Sequence, residues 1–156
     1  MPRRKNSTAQ SLISRLPKLS TAPAGERYEQ GRAQRKQAQR SAHAEWTPPE
    51  GRDVLALLQA SNEGRIAKLI SVRHARMLAS PFTFYRGAPA VMAYDLAHTQ
   101  SSGITAQLCG DCHISNFGMF ASPERQLVFD LNDFDETLPG PFEWDVKRLV
   151  TSIEIA

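Results

Sequence analysis

The acidic residues in the second half of this chain are spaced in a way that favours phosphoryl-transfer chemistry. Eight carboxylate side chains and a single arginine lie between Asp111 and Asp145. Clustered carboxylates repel one another unless a cation balances them, so this density favours a divalent metal or a cationic ligand. Asp111, then Asn116 and, after a predicted hairpin, Asp133 follow the order in which phosphotransferases present a base and two metal ligands. We therefore predict the metal and catalytic half of a kinase-like phosphotransfer site.

Asp111 and His113 are the predicted catalytic residues. Asp111 follows Gly110 on a predicted strand-to-loop turn, where an aspartate can accept the proton of an attacking hydroxyl group. An aspartate that only caps its own turn is the structural alternative. His113 is expected to brace this loop by hydrogen bonding rather than to bind the metal.

Four residues are candidate ligands of a magnesium ion. Asn116 offers a neutral oxygen, which suits a hard ion that takes few protein ligands together with phosphates and water. Asp133 and Asp130 compete for the second position. Asp133 is preferred because a residue that leaves the end of a strand can point into a cleft, whereas Asp130 lies within the strand. Asp135 is a third candidate carboxylate.

Three basic residues accompany this acidic segment. Arg86 follows an aromatic segment and either binds a phosphate group or pairs with one of the carboxylates. These two roles stay open at this point. Lys147 and Arg148 come directly after Asp145 and are expected to offset the acidic cluster.

Cys109 and Cys112 flank the predicted catalytic turn. A structural zinc site needs four ligands, usually from two paired motifs, and the chain has no second cysteine pair. A thioredoxin-like pair would begin a helix, but a hairpin is predicted here. We expect a packed Cys109 beneath the turn, with a redox or zinc protein as the less favoured alternative.

The charge of the chain is divided unevenly. Residues 1–50 carry ten Lys/Arg and four Asp/Glu, whereas residues 51–156 carry nine and twelve. Residues 1–45 are predicted to form a basic arm that is mostly disordered or loosely helical, with a charged surface helix over residues 26–40. Such an arm also suits weak contact with nucleic acid or an anionic surface. A non-enzymatic, degenerate domain that binds a partner or nucleic acid through this arm is therefore the alternative function.

The sequence also indicates where the chain is expected to reside. No stretch approaches the roughly 20 apolar residues needed to span a bilayer. The basic start of the chain has too short an apolar stretch for a signal peptide. A cytoplasmic protein is expected.

Residues 46–156 predict an α+β domain. Asp53 is placed to cap a helix that breaks near residues 62–64, and a second helical stretch stops at Ser80-Pro81. The aromatic residues of Phe82–Tyr85 predict a short strand. Further along, the pattern predicts a helix over 88–98, a strand over 104–108, a hairpin of 117–121 with 126–131, a Pro/Gly turn over 138–141 and a helix from about 143.

Four segments carry a resemblance to a known family. The sequences PFTFYRG, CGDCHISNFG, LVFDLNDFDET and GPFEWDVKRL resemble the bacterial family named Domain of Unknown Function 2252. That family is in turn similar to aminoglycoside phosphotransferases and other protein-kinase-like enzymes, whose catalytic loop reads His-Gly-Asp-x-His-x-x-Asn. Asp111, His113 and Asn116 fall on this loop, with Cys109 in place of its first histidine. Asp133 falls on the metal loop of those enzymes, and Asp145 falls on an aspartate that has a structural role in them.

This resemblance implies a partial protein-kinase-like domain that uses Mg²⁺ and ATP, with an acceptor that is unknown. Segments that would bind the nucleotide, a glycine-rich loop and a lysine-bearing strand, are expected beyond Ala156. Residues 46–156 are accordingly expected to be the N-terminal portion of a truncated domain. We expect such a fragment to be inactive on its own.

Overall fold

The computed structural model describes residues 22–156, a mixed α+β arrangement of six α-helices and four short strands. The helices are α1 (Ala24–Gln37), α2 (Val54–Ala60), α3 (Ala67–Met77), α4 (Pro81–Gly87), α5 (Pro89–Ala97) and α6 (Glu143–Glu154). The strands are β1 (Thr105–Leu108), β2 (Phe117–Ala121), β3 (Leu127–Leu131) and β4 (Leu138–Pro141). Short 3₁₀ helices occupy Arg40–Ala44 and Ile114–Asn116.

Helix α1 is the surface helix predicted within the basic arm. It carries a mixture of acidic and basic side chains and buries no residue, because it has no apolar face with which to dock. Its last residue is tied to the rest of the chain by the side chain of Gln100, which donates a hydrogen bond to the carbonyl of Gln37 at 2.5 Å. Predictions for residues 1–21 lie outside the described residues.

The first helices of the domain begin and end at the predicted signals. The carboxylate of Asp53 accepts a hydrogen bond from the amide of Ala56 at 3.0 Å and caps α2. The turn that separates α2 from α3 includes Gly64 at a φ of 74°, a conformation that glycine adopts without strain. The predicted capped helix and its break are both confirmed.

The strand predicted over Phe82–Tyr85 is wrong, because these residues form helix α4. Ser80 and Thr83 form a capping box in which Ser80 Oγ accepts from the amide of Thr83 at 3.1 Å and Thr83 Oγ1 accepts from the amide of Ser80 at 2.8 Å. Pro81 occupies the first helical turn, where its fixed φ suits a helix. The capping residues therefore override the strand preference of the aromatic side chains.

Two antiparallel pairs of strands carry the β structure. Strands β2 and β3 form the predicted hairpin, with Phe117 opposite Leu131. Strand β1 pairs with β4, so the turn predicted for residues 138–141 is wrong. Gly140 lies opposite Ala106, and a Cβ atom at this glycine would press against the side chain of Leu108. A partner distant in sequence thus makes a strand of a segment whose composition favours a turn.

The main apolar cluster lies among the helices that precede the strands. Met77, Ala88 and Val91 are buried at its centre, and Phe84 packs against them together with side chains of α2. This cluster fixes α3, α4 and α5 relative to one another, and α3 and α4 supply part of the candidate site. No helix within residues 22–156 is long and apolar enough to cross a membrane.

Replacement of Ser80 by alanine tests the capping box. The variant loses the side-chain oxygen that accepts from Thr83, so we expect the free energy of unfolding to fall by about 1 kcal/mol in urea denaturation. Ser71→Ala is the matched control, because Ser71 is exposed on α3 and its side chain forms no hydrogen bond with the described residues. Its effect should stay within about 0.5 kcal/mol. Equal losses in the two variants would contradict the cap.

Candidate functional site

A buried ion pair between Arg148 and Asp111 lies at the base of the candidate site. Arg148 on α6 is 2% exposed, and its Nε and Nη2 atoms lie 2.6 and 2.5 Å from Asp111 Oδ1. Nη2 also donates to the carbonyl of Tyr85 at 3.0 Å, and the guanidinium lies 4.2 Å from the centre of the Tyr85 ring. Arg148, which was expected to offset the acidic cluster, therefore forms an ion pair with the predicted catalytic aspartate itself.

Tyr85 returns a hydrogen bond to the same helix. Its hydroxyl group donates to the carbonyl of Arg148 at 2.7 Å, and burial raises the pKa of this hydroxyl. Tyr85 and Arg148 thus hold α4 and α6 together from both sides. Lys147, which was expected to act with Arg148, instead lies beside an apolar groove, and desolvation lowers its pKa.

Asp145 fixes the turn that leads into Asp111. Its two carboxylate oxygens accept hydrogen bonds from the amides of Cys109 at 2.8 Å and Gly110 at 3.3 Å. Gly110 has a φ of 90°, and a Cβ atom there would collide with the carbonyl of Glu136. The turn consequently requires glycine, and the carboxylate of α6 holds it in place.

Asn116 is held with its amide oxygen available. The side-chain Nδ2 donates to the carbonyl of Asp111 at 2.8 Å, and the residue is 6% exposed. Its own carbonyl accepts from the amide of Asn132, just after β3, at 3.0 Å. Since Nδ2 is engaged within the loop, Oδ1 is the atom that can face a ligand.

His113 braces the loop beside Asp111. Its Nε2 lies 3.5 Å from Asp111 Oδ2, and its backbone amide donates to the carbonyl of Asp111 at 2.9 Å. The Nδ1 atom is buried without a partner in the described structure. Burial lowers the pKa of His113 against the opposing attraction of Asp111, so the ring is neutral at pH 7. A neutral ring does not compete with Arg148 for the negative charge of Asp111.

One cleft brings most of the predicted site residues together. It has a volume of about 650 Å³, and the loops on one part of its lining contribute Asp111, His113, Asn116 and Asp133. Helices α3 and α4 and the turn between them contribute the rest, which includes Arg73, Arg76 and Arg86. The predicted cofactor-binding Arg86 therefore shares a cavity with the predicted catalytic residues and with two of the predicted metal ligands.

The other two candidate metal ligands do not line this cleft. Asp130 is exposed on β3, and its Oδ1 accepts from the next amide, that of Leu131, at 2.8 Å. Asp135 is exposed as well, and its amide donates to Asp133 Oδ1 at 3.3 Å. Among the four candidates, Asn116 and Asp133 are thus the pair that the fold brings to one cavity.

Glu136 and two arginines are site features that the sequence reasoning missed. Desolvation and, after it, repulsion from Asp111 raise the pKa of Glu136, so this carboxyl group belongs electrostatically to the same cluster. Its position next to Asp133 and Asp135 was the signal available in the sequence. Arg73 and Arg76 were indicated by their spacing of three residues on one helix.

The cysteines form a compact group beneath the turn. Donor atoms of Cys109, Cys112 and Asp145 lie within 4.8 Å of one another, as the one such cluster of three found in residues 22–156. Both thiols are buried, and burial raises the pKa of each, so reactive thiolates are disfavoured. Asp145 already accepts two backbone hydrogen bonds. These features favour the packed-cysteine interpretation over a zinc or redox site.

Comparison with known proteins places this chain in a family. Residues 65–156 match Domain of Unknown Function 2252, described as an uncharacterised protein conserved in bacteria. The chain belongs to this family. Neither the curated proteins nor the solved structures that were searched include a match for the chain.

The lowered pKa of His113 predicts a pH dependence of stability. The unfolded chain protonates this ring below about pH 6.5, whereas the folded chain resists protonation, so the free energy of unfolding falls as the pH drops below that value. His113 contributes at most about 1.4 kcal/mol per pH unit to this change in the free energy of unfolding. Urea unfolding between about pH 7.5 and pH 5 should therefore show a shallower decline for His113→Gln than for the wild type.

Exposed His98 provides the control for this measurement. The variant His98→Gln removes an imidazole that contacts the carbonyl of Tyr94 but does not line the cleft. The free energy of unfolding of His98→Gln should fall with decreasing pH as steeply as that of the wild type. A wild-type slope in His113→Gln would show that this ring does not resist protonation in the folded state.

Proposed function

We propose that this chain carries the base and the metal-binding part of a magnesium-dependent phosphotransfer site, with ATP as the donor. The observation that carries the proposal is the shared cleft, in which Asp111, Asn116, Asp133 and Arg86 come together from separate segments. A base, two oxygen ligands and a cation within one cavity are the groups that phosphoryl transfer requires. The proposal includes the similarity of the loop from Asp111 to Asn116 to the catalytic loop of protein-kinase-like enzymes.

Asp111 is the proposed base. Arg148 occupies Oδ1 and orients the carboxylate, while Oδ2 is 3.5 Å from His113 Nε2, beyond a normal hydrogen-bond distance. Oδ2 is therefore free to accept the proton of an acceptor hydroxyl group that enters the cleft. His113 positions the loop through its backbone and ring and needs no charge for this role.

Asn116 and Asp133 are the proposed protein ligands of Mg²⁺. Both offer hard oxygen donors, and Mg²⁺ takes one or two such side chains and completes its shell with phosphates and water. The repulsion that raises the pKa of Glu136 comes from Asp111 and Asp133, so a cation here would relieve an existing conflict of charge. When bound, the ion would offset the negative charge of the phosphate groups. Asp130 and Asp135 do not line the cleft, so the proposal does not assign the ion to them.

Arg86 is the proposed contact for a phosphate group of the donor. It lies on α4, and the Phe82 ring, 6.0 Å away, supports its guanidinium. The carboxylate-pairing alternative for Arg86 loses support, because no acidic group among residues 22–156 forms an ion pair with it. The acceptor is any molecule with a hydroxyl group that reaches Asp111.

Substitution of Asp111 tests the proposed reaction. In the full-length protein, Asp111→Asn should lower magnesium-dependent ATP turnover by about 10²–10⁴-fold, because the amide cannot accept the proton. ADP release in a coupled assay measures the effect. Asp130→Asn, on exposed β3, should keep wild-type turnover. Unchanged turnover in Asp111→Asn would exclude this residue as the base.

Substitution of Asp133 tests the metal site separately. Mn²⁺ can stand in for Mg²⁺ and broadens the NMR signals of nearby groups, so titration reports binding without catalysis. Asp133→Asn should weaken Mn²⁺ binding by about tenfold or more, because one of few charged ligands is lost. Asp135→Asn is the matched control two residues away and should bind as the wild type does. If Asp135→Asn weakened Mn²⁺ binding more than Asp133→Asn, the ligand would be Asp135 instead of Asp133.

A further inference from the structure

Three arginines from two helices meet at the cleft. Arg73 and Arg76 lie three residues apart on α3, and Arg86 lies in the last turn of α4. Arg73 donates to Asn62 Oδ1 at 3.1 Å and to the carbonyl of Gly87, which ties α3 to the end of α4. Arg73 thus has a positioning role, because it connects the helix that carries Arg76 with the end of the helix that carries Arg86.

Arg76 and Arg86 have no acidic partner in residues 22–156. Neither forms an ion pair with a carboxylate, and Arg86 rests only on the Phe82 ring. Arg73, Arg76 and Arg86 all line this cleft, and desolvation, followed by repulsion from Arg65 outside it, lowers the pKa of Arg73. Guanidinium groups that line one cavity without an acidic partner are typical of anion recognition.

We propose that Arg76 and Arg86 form a binding subsite for a phosphate group of a ligand. Guanidinium groups offer paired N–H donors that match phosphate oxygens, and two of them from different helices can hold one group from two directions. This inference rests on the proposed function, since both use one cleft, and it deepens that proposal by adding Arg76 to Arg86 as the residues that would hold the phosphate group. The subsite itself needs neither the base Asp111 nor a metal.

The acidic residues of the cleft predict a coupling with the metal. Asp111 and Asp133 line the same cavity as the arginines and repel an entering phosphate group. A divalent cation on Asn116 and Asp133 removes part of this repulsion, so metal and phosphate each strengthen the binding of the other. The arginines therefore determine the metal-free affinity, and Asp133 determines how much the metal adds.

Titration of the full chain with inorganic pyrophosphate in a metal-free buffer tests the subsite. Chemical shifts or heat should show saturable binding, and Arg76→Ala and Arg86→Ala should each weaken it by about tenfold, as expected for the loss of a charged hydrogen bond. Lys68→Ala is the matched control, because Lys68 is an exposed cation on α3 outside the cleft. Circular dichroism verifies that the variants are folded. No saturable binding, or equal loss in the control, would overturn the subsite.

Two further measurements identify the source of the phosphate group and distinguish the phosphate subsite from the proposed metal site. Pyrophosphate represents the polyphosphate of a donor, and phosphoserine represents a phosphorylated acceptor. Tighter binding of pyrophosphate assigns the subsite to the donor, whereas equal or tighter binding of phosphoserine assigns it to the acceptor, and either result supports the subsite. Asp133→Asn should raise the metal-free affinity, because it removes a charge that repels the phosphate group, and it should lose the gain from Mg²⁺. If that gain survives while arginine dependence holds, the metal assignment fails and the subsite stands.

Discussion

The buried charge of Arg148 is the constraint on which the rest of the site depends. A guanidinium group that is 2% exposed must have partners, because a buried and unpaired charge would destabilise the fold by several kcal/mol. Asp111 supplies the counter-ion, and the carbonyl of Tyr85 accepts a further hydrogen bond. One side chain of α6 therefore fixes the predicted base and the end of α4, on which Arg86 lies.

Helix α6 supports the whole turn from Cys109 to Ile114 with one face. Asp145, Arg148 and Ser152 follow one another at intervals of three and four residues, which places them on the same side of a helix. Asp145 accepts from the amides of residues 109 and 110, Arg148 holds Asp111, and Ser152 Oγ accepts from the amide of Ile114 at 2.9 Å. The turn itself has little regular structure, so its geometry is stabilised by a helix more than 30 residues away in sequence.

The cleft combines opposite charges that are kept apart by different elements. Helices α3 and α4 bring arginines, and the loops after β1 and β3 bring carboxylates, so a ligand with both a cation and an anion suits the cavity better than either alone. All these residues fall within residues 65–156, the part of the chain that matches its family. The basic surface helix α1 lies outside that part.

Local sequence signals determined much of the secondary structure, and contacts in the tertiary structure decided the remaining elements and the composition of the cleft. The cap at Asp53 and the hairpin around residues 122–125 depend on neighbours in sequence, so they could be predicted. Helix α4 also had a local signal in Ser80, but aromatic side chains concealed it. Strand β4 and the meeting of the three arginines required the fold, whereas Asp133 was already preferred over Asp130 because it follows the end of a strand. Strand pairing, side-chain direction and charge separation depend on contacts between segments that are distant in the sequence, and no local pattern encodes them.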